Sequence, residues 1–134
     1  MKARHVAVLL GLLGLCAPIG AWAEGIDGET PLVCDLIEAS QCDGVASCGD
    51  VEFAEIDLPP VYTVDFSGRR LASEDGQRTS PIASQQLLDA SLVLQGTQNG
   101  RGWTMVIDRA TGHLSATIAD LEGALVIAGA CTAR

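Results

Sequence analysis

The chain has 134 residues, of which eight are lysine or arginine and seventeen are aspartate or glutamate. This length suits one domain with one hydrophobic core. The formal net charge of −9 repels the phosphates of nucleic acids and the surfaces of anionic lipids. The composition therefore argues against a nucleic-acid-binding protein and favours either a basic partner or solubility alone.

The first 23 residues have the pattern of a secretory signal peptide. Lys2 and Arg4 precede an apolar run over residues 6–15, and Ala21-Trp22-Ala23 supplies the small residues that signal peptidase recognises. Cleavage after Ala23 makes Glu24 the first mature residue. A membrane-spanning helix needs about 20 apolar residues, so this run is too short and we predict no stable membrane span.

Cys16 allows a second kind of processing. The sequence Leu13-Gly14-Leu15-Cys16 is shaped like the box that precedes a lipid-modified cysteine, although Leu15 is bulkier than the small residue which that processing requires. Cleavage at Ala23 is the favoured prediction, and a lipid anchor at Cys16 is the alternative. Both alternatives predict export, to the periplasm or beyond the cell.

Residues 24–134 are predicted to form a single β domain with two disulfides. Six basic and seventeen acidic residues remain there, which gives a net charge of −11. We favour the pairs Cys42–Cys48 and Cys34–Cys131 because Cys42 and Cys48 bracket a turn-prone loop, whereas the other two lie in strand-like runs. Chain entropy does not separate this pairing from Cys34–Cys42 with Cys48–Cys131. Zinc is disfavoured, since there is no C-x-x-C motif.

Short strands separated by polar turns are predicted along the chain. Residues 38–50 are interpreted as a loop, Pro59-Pro60 as a strand stop, and Pro81 as a residue that confines its strand to an edge or a bulge. Asn99-Gly100 predicts a tight turn. The predicted strands are residues 30–37, 51–57, 61–68, 79–86, 91–97, 103–108, 113–119 and 124–131.

The most legible element is a hairpin over residues 103–119. Gly112 favours a type I turn with a bulge that needs positive φ, and this turn places Arg109 opposite His113. Both faces of the hairpin are then largely apolar, which predicts cover on both sides. The fold class predicted for the domain is all-β: a small antiparallel meander of about seven or eight strands, forming a sandwich or a closed barrel.

The C-terminal two-thirds resembles a loose group of small exported proteins of Gram-negative bacteria. The resemblance is carried by a hairpin of the form W-x-M-x-I-D-x-x-T-G and a final strand ending in G-x-C-T. It implies export and a β architecture only. The matching residues are Trp103, Met105, Ile107, Asp108, Thr111, Gly112, Gly129, Cys131 and Thr132.

Few residues suggest chemistry. His113 is the one mature histidine, and Ser115 and Asp108 lie near it in sequence, but no nucleophile-elbow motif accompanies them. An acidic group could supply oxygen ligands to calcium, although its spacing matches no EF-hand loop. We predict no catalytic residue, no cofactor and no metal. The acidic group comprises Asp43, Asp50, Glu52, Glu55 and Asp57.

The leading functional hypothesis is a non-enzymatic exported domain with a binding or structural role at the cell envelope. A second hypothesis is inhibition of a basic protein such as lysozyme, because strong negative charge steers a basic partner. The S-G-x-x-Y element of known lysozyme inhibitors is incomplete, since Ser67-Gly68 is followed by no tyrosine. A third hypothesis is a calcium-binding module that uses the acidic group.

Overall fold

A computed structural model describes residues 25–134 as an all-β domain, in which ten antiparallel strands form one curled, half-barrel sheet. Among these residues, no helix has the length and apolar content needed to cross a membrane. The strands are β1 (Leu32–Cys42), β2 (Cys48–Val51), β3 (Val61–Asp65), β4 (Arg70–Ser73), β5 (Thr79–Pro81), β6 (Ser84–Leu87), β7 (Ser91–Gln98), β8 (Arg101–Asp108), β9 (His113–Ala119) and β10 (Ala124–Ala133).

The strands follow a simple path around the sheet, in the order β5-β4-β3-β1-β10-β9-β8-β7-β6. Neighbours in this order are consecutive along the chain except at two places, where β10 pairs with β1 and where β1 pairs with β3. The short strand β2 lies off this path and pairs with the last four residues of β1. The first and last long strands are therefore adjacent in the sheet.

The number of strands is higher than the seven or eight predicted, because β2, β4 and the division of one predicted strand add three. The predicted strand 51–57 is wrong, since only Val51 of it belongs to a strand and residues 53–57 form turns. The region 38–50, interpreted as a loop, instead continues β1 to Cys42 and returns as β2 after a tight turn. The predicted strand 79–86 is divided at Ile82 and Ala83 into two strands. The first, β5, pairs with β4, and the second, β6, pairs with β7. The described residues otherwise confirm an all-β antiparallel domain.

The register of the β8–β9 hairpin differs by one residue from the prediction. Ile107 faces Leu114 and Met105 faces Ala116, so the loop has four residues, 109–112, instead of three. Because successive side chains of a strand point to opposite faces, only one face of the hairpin is apolar and buried. The other face carries exposed residues such as Ser115 and Thr117, and the prediction of two covered faces is wrong.

The interior of the curled sheet has a densely filled end. Its fully buried side chains come from five strands, and Ile26, from the segment that precedes β1, belongs to the same core. Ile26 is buried there, its N–H donates to Arg109 O, and Arg109 Nε donates back to Ile26 O. The fully buried residues are Leu32, Cys34, Val64, Leu92, Leu94, Ile107 and Leu114.

Both predicted disulfides are present, Cys34–Cys131 and Cys42–Cys48. Each joins residues that face one another across a strand pair, in β1–β10 and in β1–β2. Disulfides persist in oxidising compartments, so the pairing indicates that the domain folds in one. The predicted cleavage site at Ala23 and Glu24, and Cys16, lie outside the described residues.

Candidate functional site

The opposite end of the sheet interior is open and contains a cavity of about 670 Å³. Side chains of eight strands line it (β1, β3, β4, β5, β7, β8, β9 and β10), together with the β2–β3, β4–β5 and β7–β8 connections. Eleven of the 21 lining residues are aliphatic or aromatic. The apolar lining residues are Leu36, Ile56, Leu58, Tyr62, Leu71, Trp103, Met105, Ala116, Ile118, Leu125 and Ile127.

Period-two alternation on three neighbouring strands positions the main wall. Along β8, β9 and β10, each second residue points inward, so that Met105, Ala116 and Ile127 form one row across the sheet. All three are buried. Ala116 is the small member of the row, and its short side chain leaves space between the two longer ones.

Trp103 forms the part of the wall next to β7. It lies opposite Gly96, and a Cβ at Gly96 would collide with the indole ring. The absence of a side chain at Gly96 therefore lets the ring lie flat across β7. Trp103 Nε1 donates a 2.8 Å hydrogen bond to Ser80 Oγ of β5, which fixes the orientation of the ring.

The segment between β2 and β3 covers one side of the opening. Ile56 and Leu58 are half-buried and line the cavity, and Leu58 N–H donates to Phe53 O within the segment. Arg78, in the β4–β5 connection, holds the segment from outside through hydrogen bonds to the main-chain oxygen and the carboxylate of Asp57. This pair joins the two connections that meet at the opening.

The charged residues that line the cavity are Asp57, Arg78 and Arg101. Arg78 Nη2 lies 2.8 Å from Asp57 Oδ2, and this pairing raises the pKa of the guanidinium. Arg101 Nε lies 3.5 Å from Asp120 Oδ2 in the neighbouring β9–β10 turn. Burial raises the pKa of the nearby Tyr62 phenol above its ordinary value, so the hydroxyl is a neutral hydrogen-bonding group at neutral pH.

The residues considered for catalysis or calcium do not form a site. His113 and Ser115 are exposed on the outer face of β9, and Asp108 Oδ1 accepts hydrogen bonds from Ala110 N and Thr111 N of the turn. The five acidic residues of residues 43–57 are all exposed. Across residues 25–134, no three histidine, cysteine or acidic side chains are placed to hold a metal ion.

The sequence drew attention to some of the residues around the cavity and missed others. Trp103 and Met105 belong to the motif that carries the resemblance, and both line the cavity. Phe66 and Tyr62 both lie in the predicted strand 61–68, and the structure buries Phe66 in the core whereas Tyr62 lines the cavity. Arg78 was missed, because no local pattern brings it beside residues from distant strands.

Comparison of the chain with protein-family models, with curated proteins and with solved structures gives no match. The candidate site therefore rests on the geometry of the described residues.

Proposed function

We propose that this chain is a non-enzymatic exported domain that binds an apolar small molecule in the open end of its curled sheet. The observation that carries the proposal is the cavity of about 670 Å³ with its apolar walls. Small-molecule sites in proteins range over about 300–1,000 Å³ and combine apolar walls with a few placed polar groups. Apolar side chains bind a ligand through shape complementarity and the burial of apolar surface. This kind of binding suits a carrier rather than a catalyst.

The proposal includes closure of the sheet into a barrel around the ligand. Residues 79–87 support closure, because β5 pairs with β4 and β6 pairs with β7 at the two ends of the sheet path. Ile82 N–H donates to Arg69 O on one side, and Ala83 N–H donates to Gln95 O on the other. In this arrangement, residues 79–87 act as one bent strand between β4 and β7.

The proposal also places the mature domain, residues 24–134, in the periplasm or outside the cell. Export through the leader and cleavage after Ala23 are part of it. The two disulfides support an oxidising destination. N-terminal sequencing of the protein recovered from an exporting host tests the cut, since Glu24 is expected first and a lipid-modified Cys16 contradicts it.

The site is tested with a neutral apolar fluorophore, N-phenylnaphthylamine, whose emission rises in an apolar environment. The native chain is expected to bind it saturably. Ala116→Phe adds a ring to the middle of the cavity wall, and it is expected to lower the affinity at least tenfold while the thermal midpoint stays equal or rises, because filling a void stabilises a fold.

Ser115→Phe is the matched control, since it adds the same ring one residue away on the outer face of β9. It is expected to leave binding unchanged. Equal binding by the native chain and Ala116→Phe, with both folded, contradicts the proposal, as does no binding of the fluorophore to the native chain.

Inhibition of a basic protein stays a second prediction. Exposed acidic side chains such as Asp35, Glu38 and Asp50 lie on β1 and β2, where a basic partner would meet them. Lysozyme assayed with the added chain tests this prediction: salt-sensitive inhibition supports it, and unchanged activity at low salt removes it.

A further inference from the structure

Two of the six arginines of residues 25–134 line the same cavity, in a domain whose remaining surface is strongly acidic. Arg78 belongs to the β4–β5 connection and Arg101 is the first residue of β8, and residues 25–134 contain no lysine. Both guanidiniums therefore stand at the opening of an apolar cavity. This combination is the pattern expected for a ligand with an apolar tail and a polar head.

The nearby carboxylates orient the two arginines. Asp57 is 85% exposed at its side chain, whereas Arg78 is 48% exposed and Arg101 is 58% exposed. The Asp57 carboxylate is therefore more exposed to water than either guanidinium. The Asp120 carboxylate is 34% exposed and pairs with Arg101 from the neighbouring turn.

Both arginines keep donors for a ligand. A guanidinium carries five N–H donors. The hydrogen bonds to Asp57 use two of those of Arg78, at Nη1 and Nη2, and Arg101 approaches Asp120 through Nε. The Tyr62 hydroxyl adds a neutral donor on the same cavity wall.

We infer that the ligand is an amphiphile with an apolar tail inside the sheet and an anionic head group, carboxylate or phosphate, at Arg78 and Arg101. The inference rests on the proposed function, since it names the class of molecule that the cavity takes. The tail contacts the row of Met105, Ala116 and Ile127. The head group remains at the opening, where it keeps part of its hydration.

The test uses the full chain carrying Trp22→Phe, in which Trp103 is the only tryptophan. Because Trp103 lines the cavity, a terminal bromine on a bound tail quenches its fluorescence by contact. The probes share one brominated dodecyl tail and differ in the head group: carboxylate, phosphate, alcohol and trimethylammonium. The dissociation constant of each is measured at low and at high salt.

We expect all bound tails to quench Trp103, and the carboxylate or the phosphate to bind at least tenfold more tightly than the alcohol at low salt, as one charge-assisted contact allows. High salt should reduce this advantage because the opening is solvent-exposed. The tighter of the two anions identifies the head group.

Arg78→Gln and Arg101→Gln should each reduce the ratio of the anion affinity to the alcohol affinity. Arg78→Gln should also weaken the alcohol, because Arg78 no longer holds Asp57 of the covering segment. Arg70→Gln is the matched control, because Arg70 is also exposed and paired with a carboxylate but does not line the cavity. It should change neither affinity.

The outcomes separate the two proposals. If the alcohol or the trimethylammonium probe binds as tightly as the anions, the inference about the head group is wrong and the proposed function stands. If no probe quenches Trp103 in the folded chain, both proposals are wrong. Equal effects of Arg70→Gln and Arg78→Gln also overturn the inference, since the effect is then one of net charge.

Discussion

Gly112 is the residue that completes the β8–β9 turn. Its φ is 78°, and its N–H donates to Asp108 O. A Cβ at this position would collide with the carbonyl oxygen of Cys131, and the Cys131 N–H donates to Gly112 O, which holds the turn close to β10. Gly112 therefore has two independent requirements, a left-handed backbone and a close approach to β10.

We predict that Gly112→Ala destabilises the domain more than Gly100→Ala does. Gly100 also has positive φ, 76°, but a Cβ there meets open space. A left-handed backbone costs a residue with a Cβ about 1–2 kcal/mol at either position, and the collision adds about 1–3 kcal/mol at Gly112. Urea denaturation measures both, and equal losses in the two variants contradict the close packing of this turn on β10.

Asp108 explains why the sequence led to the wrong hairpin register. The type of turn was inferred from Gly112 alone, which suits either a three-residue or a four-residue loop. Asp108 Oδ1 accepts hydrogen bonds from Ala110 N and Thr111 N, and an aspartate that bonds to its own turn marks the position before the loop. That signal was present in the sequence, and it fixes which face of the hairpin is buried.

At the scale of elements, the same aspartate device recurs at the connections between strands. Each of these carboxylates accepts hydrogen bonds from residues within three positions of it, for Asp75 first of all from Ser73, and these bonds lower its pKa, for Asp27 to about 2. The carboxylates with a lowered pKa are Asp27, Asp65, Asp75, Asp108 and Asp120. The turns are therefore stabilised by the ionised form.

We predict that the domain loses stability as the pH falls below about 4, the ordinary pKa of an unfolded aspartate. A carboxylate with a lowered folded pKa contributes stability above its unfolded pKa and loses that contribution as the pH falls through the folded value. The loss should continue toward pH 2, where Asp27 titrates. Thermal midpoints from pH 7 to pH 2 measure it.

Asp27→Asn keeps a side-chain oxygen as acceptor and removes the titration. The variant should lose less stability than the native chain as the pH falls, most of all between pH 4 and pH 2. A variant that loses as much stability as the native chain over this interval would show that the Asp27 turn contributes nothing to the pH dependence.

The strand elements were predictable where alternation or turn chemistry is strong. The turn at Asn99-Gly100 is confirmed: Gln98 faces Arg101, and both turn residues have positive φ. The strands within residues 38–50 were not predictable, because the polar residues and cysteines of this region are typical of a loop. Pairing of Cys42 with Cys48 across β1 and β2 makes strands of it, and no local pattern specifies such a partner.

At the scale of the whole molecule, the all-β class and both disulfide pairs followed from the sequence. The order of the strands did not, and the cavity depends on it. Met105, Ala116 and Ile127 become one wall only when β8, β9 and β10 are neighbours in the correct register. Arg78 reaches the same opening through the β4–β5 connection. The resemblance to small exported proteins of Gram-negative bacteria stays a prediction.

The measurement that tests the central claim most directly is methyl NMR of the native chain during titration with N-phenylnaphthylamine, whose rings shift the resonances of nearby methyl groups. We predict large shifts for Met105, Ile118 and Leu125, which line the cavity, and none for Ile37 and Val126, which are 68% and 50% exposed on the outside. Shifts confined to Ile37 and Val126, with the cavity methyls unmoved, would contradict a ligand site inside the sheet.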